Sequence, residues 1–198
     1  MKKIKIAIDL DDTLVPTVDL LIKEMLKEKS FPAFRGYHSI KDFSFEDEMA
    51  LYRYIRKTIN KQDISEFKPM PGSVLAIKKL AKEFELYLVT ARTKNVKKHT
   101  RDWISHHFPK MFKKIIFGQY RKEGDFKKTK GEICKELGIS LIVDDRIDYA
   151  LDCYNHGVKA IILDYKDNYA WSKGKFPKSI KKARDWKEVY EIIKKTKF

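Results

Sequence analysis

Cysteine is scarce in this sequence, and long hydrophobic runs are missing from it. The 198 residues include only two cysteines, Cys134 and Cys153, which fall inside apolar or helical patterns typical of buried thiols. Two cysteines exclude a disulfide-rich scaffold and favour a reduced, cytoplasmic protein. Apolar stretches such as 139–143 are far shorter than the roughly 20 residues of a membrane-spanning helix. Lys5 and Asp9 also interrupt the apolar segment that a secretory signal would need.

Acidic residues are outnumbered, with 28 Asp and Glu against 43 Lys and Arg, which gives a net charge of +15. Segment 94–130 holds twelve basic and three acidic residues, and segment 166–198 holds eleven and four. A surface of this kind attracts phosphorylated molecules by long-range steering, although the dispersed lysines of a solvated face would give the same count. The five histidines show no metal-binding spacing, and no RNA-binding or helix-turn-helix signature is recognisable.

Apolar residues make up 43% of the chain and aromatic residues 13%, which suffices for a folded core and argues against disorder. Five short apolar runs predict buried strands, and segments with helical periodicity follow most of them. Strands that alternate with helices indicate right-handed crossovers and a doubly wound, mostly parallel α/β sheet. The predicted strands are 3–9, 86–89, 115–117, 141–143 and 160–163.

Two predicted helix starts bear on the arrangement of polar residues. Ser73 is expected to cap a helix whose inward face begins with Val74 and Ile77. Thr129 and Glu132 form a capping-box pattern, which predicts another helix start directly beside Lys130.

Residues 15–69 interrupt the alternation of strands and helices. Amphipathic helices are predicted near 18–26 and 49–59, on either side of an irregular aromatic stretch at 31–45. The simplest interpretation is a helical insertion at 15–69 after the first strand. The core domain then consists of residues 1–14 and 70–198.

Polar side chains stand where the predicted strands end. Asp9 and Asp11 follow the first strand, Thr90 ends the second, and Asp144 and Asp145 end the fourth. Ligands of open α/β sheets bind beyond the carboxyl ends of the strands. Carboxylates clustered there repel one another and lose solvation, so they require a cation or a shared proton.

Four segments, IAIDLDDTL, LYLVTAR, TKGEICKELG and LIVDDR, occur in the order of the four motifs of haloacid dehalogenase (HAD) superfamily phosphatases, which the chain resembles. The resemblance extends over nearly the whole chain as a scaffold. It implies a Rossmann-like core, a type 1 helical cap at 15–69, and a phosphatase that works through an aspartyl-phosphate intermediate.

The resemblance also implies roles for individual residues. Asp9 resembles the nucleophile, and Asp11 resembles the general acid and base. Positions that would hold the phosphoryl group are Thr90, Ala91, Arg92 and Lys130, of which Thr90 and Lys130 also count as catalytic. Lys127 and Lys128 are alternatives for the motif lysine, but the capping box favours Lys130.

A magnesium ion is implied by the family, and the hard oxygen ligands of the sequence suit it. By resemblance, its ligands are the Asp9 carboxylate, the Asp11 backbone carbonyl and Asp144, with Asp145 in support.

Within the superfamily, the sequence is most similar to the cytosolic 5′(3′)-deoxyribonucleotidase-like group. This similarity rests on PMPGSVLAIKKL before LVTAR, on VDDRIDYALDCYNHGVKAIILD, and on the segment after Trp171. It favours a magnesium-dependent 5′-nucleotidase acting on nucleoside monophosphates, with aromatic residues of 31–45 stacking on the base. Asp12 and Thr13 stand where many such nucleotidases have Gly-Val, so the same chemistry on another small phosphate ester or a polynucleotide 3′-phosphate is a second hypothesis. A nucleic-acid-binding or regulatory protein without catalysis is a third.

Overall fold

Six short strands form a single parallel sheet in the computed structural model, which describes residues 3–18, 67–92, 96–118, 128–167 and 169–198. Most of the predicted insertion at 15–69 therefore lies outside the described residues. The strands are β1 (Lys5–Ile8), β2 (Glu85–Thr90), β3 (Phe112–Phe117), β4 (Leu141–Asp144), β5 (Lys159–Leu163) and β6 (Lys181–Ala183). Their order in the sheet is β3-β2-β1-β4-β5-β6.

Helices cover both faces of this sheet, which confirms the doubly wound α/β prediction. They are α1 (Ser73–Glu83), α2 (Lys97–His107), α3 (Lys130–Leu137), α4 (Ile147–Asn155) and α5 (Trp186–Lys195). Buried residues of α1, α2 and α5 share one core cluster, and those of α3 and α4 share the other. Among the helices of the described ranges, none combines the length and the apolar character needed to cross a bilayer.

The side chains of β1 alternate between the two faces of the sheet, which explains why the protein has a core cluster on each face. Ile6 and Ile8 belong to the core beneath α1, α2 and α5, whereas Ala7 belongs to the core beneath α3 and α4. Successive side chains of a strand point to opposite faces, so an apolar run is needed when both faces are covered. The central strand is thus buried on both sides.

Two sequence predictions about α1 are wrong. The N-cap residue is Gly72, with φ of 82°, and it makes no side-chain cap. Ser73 lies inside the helix, where its hydroxyl donates to the Met70 carbonyl at 2.6 Å. The buried face then consists of Ser73, Ala76, Ile77 and Leu80, while Val74 is 38% exposed.

The sheet is also wider than the sequence predicted. The sixth strand, β6, contains Lys181 and Lys182, and β3 begins at Phe112 and includes the exposed Lys113 and Lys114. Both strands lie at sheet edges. Lysine is common on edge strands because its charge discourages pairing with another chain. Such strands lack the apolar periodicity by which sequence analysis recognises a buried strand.

Candidate active site

The strand order reverses between β1 and β4, and the polar cluster lies at this point. Three strands extend from β1 on one side and three begin with β4 on the other. The ladder continues one residue beyond β1, where the Asp9 amide donates to the Val143 carbonyl at 2.9 Å. Asp144 is the last residue of β4. The first and fourth strand ends therefore deliver their carboxylates to the crevice where open α/β sheets bind ligands.

Lys130 joins these two carboxylates. The capping box between Thr129 and Glu132 is present, as the sequence predicted, and it begins α3 at Lys130. The Lys130 Nζ lies 2.6 Å from Asp9 Oδ1 and 2.6 Å from Asp144 Oδ2, and its side chain is only 3% exposed. Lys128, in contrast, pairs with Glu136 on the surface. Lys130 is therefore the lysine that α3 delivers to the cluster.

The Tyr149 ring also borders the cluster, although no sequence motif pointed to it. The Lys130 Nζ lies 4.2 Å from the ring centroid. Tyr149 is the third residue of α4, so the helix that follows β4 provides this wall. A cation over an aromatic face is stabilised most when water is excluded. The ring thus helps to fix the position of the buried ammonium group.

Burial determines the electrostatics of the cluster. It raises the pKa of Asp9 to about 7; Lys130 opposes this shift, while Asp144 and Asp11 reinforce it. Burial, together with Asp144, also raises the pKa of Asp145 well above its ordinary value. Burial alone would lower the pKa of Lys130, but its attraction to Asp144 and Asp9 is stronger and raises that pKa well above its ordinary value.

Three carboxylates of this cluster could hold a metal ion. Asp9, Asp144 and Asp145 are buried, and one oxygen of each lies within 4.8 Å of the others. Among the described residues, the Lys130 ammonium group is the cation in contact with Asp9 and Asp144, so ionisation of all three acids would leave excess negative charge that a metal ion could neutralise. Hard carboxylate oxygens without a thiol or imidazole suit a divalent cation such as magnesium. Donor type, spacing and charge all fit the predicted cofactor.

Asp145 is held by a loop that the sequence did not connect to it. The Trp171 Nε1 donates to Asp145 Oδ2, and the Ser172 hydroxyl donates to the Asp145 carbonyl. The Thr13 hydroxyl is 3.5 Å from Asp145 Oδ1. Trp171 in turn stacks on Tyr169, with ring centroids 4.9 Å apart. Contacts between positions 26 and 27 residues apart cannot be deduced from local patterns.

Asp164 anchors the loop that contains Trp171 and Ser172, because it binds residues at both ends of that loop. This buried carboxylate follows β5 and accepts bonds from the Tyr169 amide at 2.7 Å and from Lys173 Nζ at 2.7 Å. Lys182 Nζ also lies 2.7 Å from it. Burial would raise the pKa of Asp164, but the bonds from Lys173 and Lys182 outweigh burial and lower it.

We expect Asp164→Asn to lower the free energy of unfolding by about 2 kcal/mol near neutral pH, because bonds to a charged group are lost. A carboxylate whose pKa is lowered by folding stabilises the protein above its unfolded pKa, which is about 3.9, and ceases to do so as the pH falls through its folded pKa. Urea unfolding at neutral and acidic pH should therefore show the difference between wild type and variant shrinking below about pH 4. Asp167→Asn, at an exposed neighbour of Lys182, is the matched control. A difference that persists unchanged in acid would contradict this explanation.

Gly131 allows α3 to approach α4 closely. Its amide donates to Asp152 Oδ2 at 2.7 Å. A Cβ at this position would lie 2.4 Å from His156 Nδ1 and 2.7 Å from the Asp152 carbonyl oxygen. Because one of these atoms is backbone, α3 would have to move, and Lys130 would move with it.

Gly131→Ala is therefore expected to destabilise the fold by about 3 kcal/mol and to displace Lys130. Gly138→Ala is the control, because its Cβ would meet no atom within 4 Å and only its φ of 65° is unfavourable. That strain is worth about 1 kcal/mol. Thermal denaturation of the wild type and of both variants measures the loss of stability that each substitution causes. Equal losses would show that the close approach of α3 and α4 is unimportant.

Asp11 stands apart from the three-carboxylate cluster. Its Oδ1 is 2.6 Å from Arg92 Nη2 and 2.6 Å from the Thr17 hydroxyl, and Arg92 Nε lies 3.0 Å from its Oδ2. Burial would raise the pKa of Asp11, but the charge of Arg92 outweighs burial and lowers it. Asp11 is thus an ionised partner of Arg92 in this arrangement. The contact joins positions 81 residues apart, which no sequence motif indicated.

Three of the four predicted phosphate-binding residues, Thr90, Ala91 and Arg92, lie at the carboxyl end of β2. Thr90 is its last residue and is buried, and its Oγ1 accepts a bond from the Arg92 amide at 3.1 Å. Ala91 lies between them and is partly exposed. The Arg92 side chain is 1% exposed, and its buried Nη1 has no hydrogen-bond partner among the residues that the structure describes. An unpartnered guanidinium nitrogen is costly to bury, so an anion beside Arg92 would be favourable.

The loop after β1 is fixed at both ends. Asp12 has φ of 53°, and its Oδ1 accepts a bond from the Val18 amide at 2.9 Å. The indole of the buried Trp186 donates to the Thr13 carbonyl at 2.9 Å. Asp12 and Thr13 therefore hold the turn in shape, with Thr13 also facing Asp145.

Comparisons with known proteins identify the fold. No protein-family model matches the chain, and no curated protein sequence matches it. Several solved structures do. YfnB from Bacillus subtilis, assigned as a HAD-hydrolase and solved bound to magnesium, has 18% identity and a TM-score of 0.62 over 98% of this chain and 99% of its own.

Two further structures show the range of chemistry on this fold. A predicted phosphatase from Clostridium acetobutylicum has 16% identity and a TM-score of 0.61, covering 99% of this chain and 100% of its own. A 2-haloacid dehalogenase from Pseudomonas syringae has 15% identity and a TM-score of 0.53, covering 98% and 99%. The chain thus has the fold of HAD-superfamily hydrolases.

Proposed function

We propose that this protein is a magnesium-dependent phosphomonoesterase of the HAD superfamily. The observation that carries the proposal is the buried contact of Lys130 with both Asp9 and Asp144 at the carboxyl edge of the sheet. It unites three of the four sequence motifs in one place. The fourth, Thr90, ends the strand next to β1.

Charge favours a phosphate ester over a haloacid as substrate. The fold itself serves both kinds of hydrolase, so it does not select the bond that is broken. In the described part of the chain, three clustered carboxylates have the spacing to hold a cation, and Lys130 is the ammonium group beside them. Phosphoryl transfer needs concentrated positive charge around the equatorial oxygens of phosphorus. A divalent cation held by these carboxylates would meet that need.

The proposed reaction begins with attack of an Asp9 carboxylate oxygen on phosphorus. A bond forms between that oxygen and phosphorus, and the bond from phosphorus to the leaving oxygen breaks. Lys130 stabilises the developing negative charge and orients Asp9. Asp9 and Asp144, with Asp145 in support, would hold the magnesium ion. When bound, the ion would neutralise the charge of the phosphoryl oxygens. Water then attacks the phosphorylated Asp9, which releases phosphate and restores the carboxylate.

Asp11 is proposed to give a proton to the leaving oxygen and to take one from the attacking water. In the observed arrangement it is bound to Arg92 and cannot donate a proton. Substrate binding would change this if Arg92 turned from Asp11 toward the phosphoryl group, because its Nη1 has no partner within the described part of the chain. Arg92 would then bind the phosphate together with Thr90 and the Ala91 amide. Asp11, no longer paired with a cation, could take a proton from solvent and pass it to the leaving oxygen.

For the substrate, we propose a nucleoside 5′-monophosphate. The proposal is supported by the resemblance of two segments to deoxyribonucleotidase-like proteins. These segments are PMPGSVLAIKKL, which precedes LVTAR, and VDDRIDYALDCYNHGVKAIILD. The base would be recognised by residues of 15–69, most of which lie outside the described part of the chain. Other small phosphate esters are the alternative.

The test is phosphate release in the presence of magnesium across a substrate panel. It contains nucleoside 5′- and 3′-monophosphates, sugar phosphates, p-nitrophenyl phosphate and a 3′-phosphorylated oligonucleotide, with chloride release from 2-chloropropionate measured in parallel. We expect kcat/KM for at least one nucleoside 5′-monophosphate to exceed the others by about tenfold. A different preferred ester would retain the phosphatase and reject the nucleotidase. Chloride release without phosphate release would reject both.

A further inference from the structure

A second concave surface lies at the end of the sheet opposite the carboxylate cluster. It is a cavity of about 350 Å³. Its walls are the first residues of β4, β5 and β6 and the end of α5. Leu141 begins β4 here, and Asp144 ends the same strand in the cluster, so the two sites are separated by three residue steps, about 10 Å.

The cavity exists because lysines occupy the amino ends of β5 and β6. Leu141 pairs in register with Lys159, and Ile161 pairs with Lys181. These side chains lie on the sheet face that α5 covers, since Leu141 and Ile161 share a core cluster with it. An ammonium group cannot be buried unpaired in an apolar core. The lysine ends of the strands therefore remain open beneath the last turn of α5, to which Lys195 belongs.

Of the residues that the structure describes, four lysines and no acidic residue line this cavity; the lysines are Lys159, Lys181, Lys195 and Lys197. None of their ammonium groups pairs with a carboxylate of the residues that the structure describes; Lys181 donates instead to the Lys178 carbonyl. Their neighbours behave differently. Lys194 pairs with Glu83, and Lys182 pairs with Asp164. Cations gathered without counter-charges repel one another, so a bound anion would relieve the repulsion.

We propose that this cavity binds a small phosphate-class anion with at least two negative charges, at a site separate from the catalytic cluster. Its volume is in the range of small-molecule sites, which begins at about 300 Å³. Lysine supplies compact point charges that bind phosphate oxygens well. Leu141, Ile161 and Ile192 add an apolar wall, against which a nucleoside or short carbon chain can pack.

The experiment is calorimetric titration of the whole chain with pyrophosphate and with ADP, in EDTA so that no metal is bound. The cavity variant is Lys159→Gln with Lys195→Gln. The matched control is Lys187→Gln with Lys135→Gln, which removes equal charge from exposed helix positions outside the cavity. We expect the cavity variant to weaken binding by at least about tenfold and the control by less than about twofold.

Amide chemical-shift mapping of the wild type locates the site without any substitution. Shifts centred on Ile161, Lys181 and Thr196 that persist in Asp9→Asn would support the proposal and exclude binding at the catalytic cluster. Equal weakening in both double variants would show diffuse attraction and overturn it. Absence of binding at millimolar anion would also overturn it. If a single-stranded oligonucleotide binds across these lysines more strongly than pyrophosphate or ADP, the proposed small ligand is wrong and the site binds nucleic acid.

Discussion

Asp9→Asn is expected to lower phosphate release by at least about a thousandfold, because the variant keeps the shape of the side chain but has no nucleophilic carboxylate. The fold should survive this change. Asp9 is one of three crowded carboxylates, so an amide there removes like-charge repulsion in the metal-free protein. Magnesium should stabilise the variant less than it stabilises the wild type, because one proposed ligand charge is gone.

Two measurements separate these effects. Steady-state phosphate release reports the nucleophile, and thermal denaturation with and without magnesium reports the metal site. Asp102→Asn is the control, because this carboxylate is exposed on α2, where it pairs with Lys98. Turnover by Asp9→Asn close to that of Asp102→Asn would remove Asp9 from the mechanism.

Lys130→Met is the second change with a large expected effect. Methionine fills a similar volume without the charge, so Asp9 and Asp144 would remain buried without their shared cation. Breaking a buried ion pair by removing one partner typically costs about 3–5 kcal/mol. We expect a loss of this size in EDTA, together with a fall in kcat of at least about a hundredfold.

Magnesium should restore more stability to Lys130→Met than to the wild type, because a divalent cation can neutralise the same carboxylates. Lys128→Met is the control two residues away, at an exposed pair whose loss is worth at most about 1 kcal/mol. Urea unfolding of both variants, with and without magnesium, provides the comparison. Equal stability of the two variants in EDTA would show that Lys130 does not compensate the cluster.

The fold and much of the candidate site follow from local sequence patterns. The positions of β1 and β4 were predicted from apolar runs that end in an acidic residue. The start of α3 was predicted from the capping box at Thr129. The periodicity and the capping motif are local signals, encoded within a few residues. Parallel strand order then brings Asp9 and Asp144 to adjacent strand ends.

What the sequence could not show depends on contacts between distant positions. Arg92 meets Asp11, and Trp171 meets Asp145, only because the folded sheet places their loops side by side. The lysine-rich strand β6 was missed because an edge strand of three residues has no apolar pattern to recognise.

Covalent phosphoryl transfer to Asp9 can be observed directly by trapping the phosphorylated protein. Enzyme, magnesium and the preferred phosphate ester are mixed and quenched in acid within one turnover, and the peptide containing Asp9 is examined by mass spectrometry. Borohydride reduction of the quenched protein should convert the labelled residue to homoserine. We expect a phosphoryl adduct on Asp9 that is absent from Asp9→Asn. Turnover without any adduct on that peptide, or with an adduct on another residue, would contradict it.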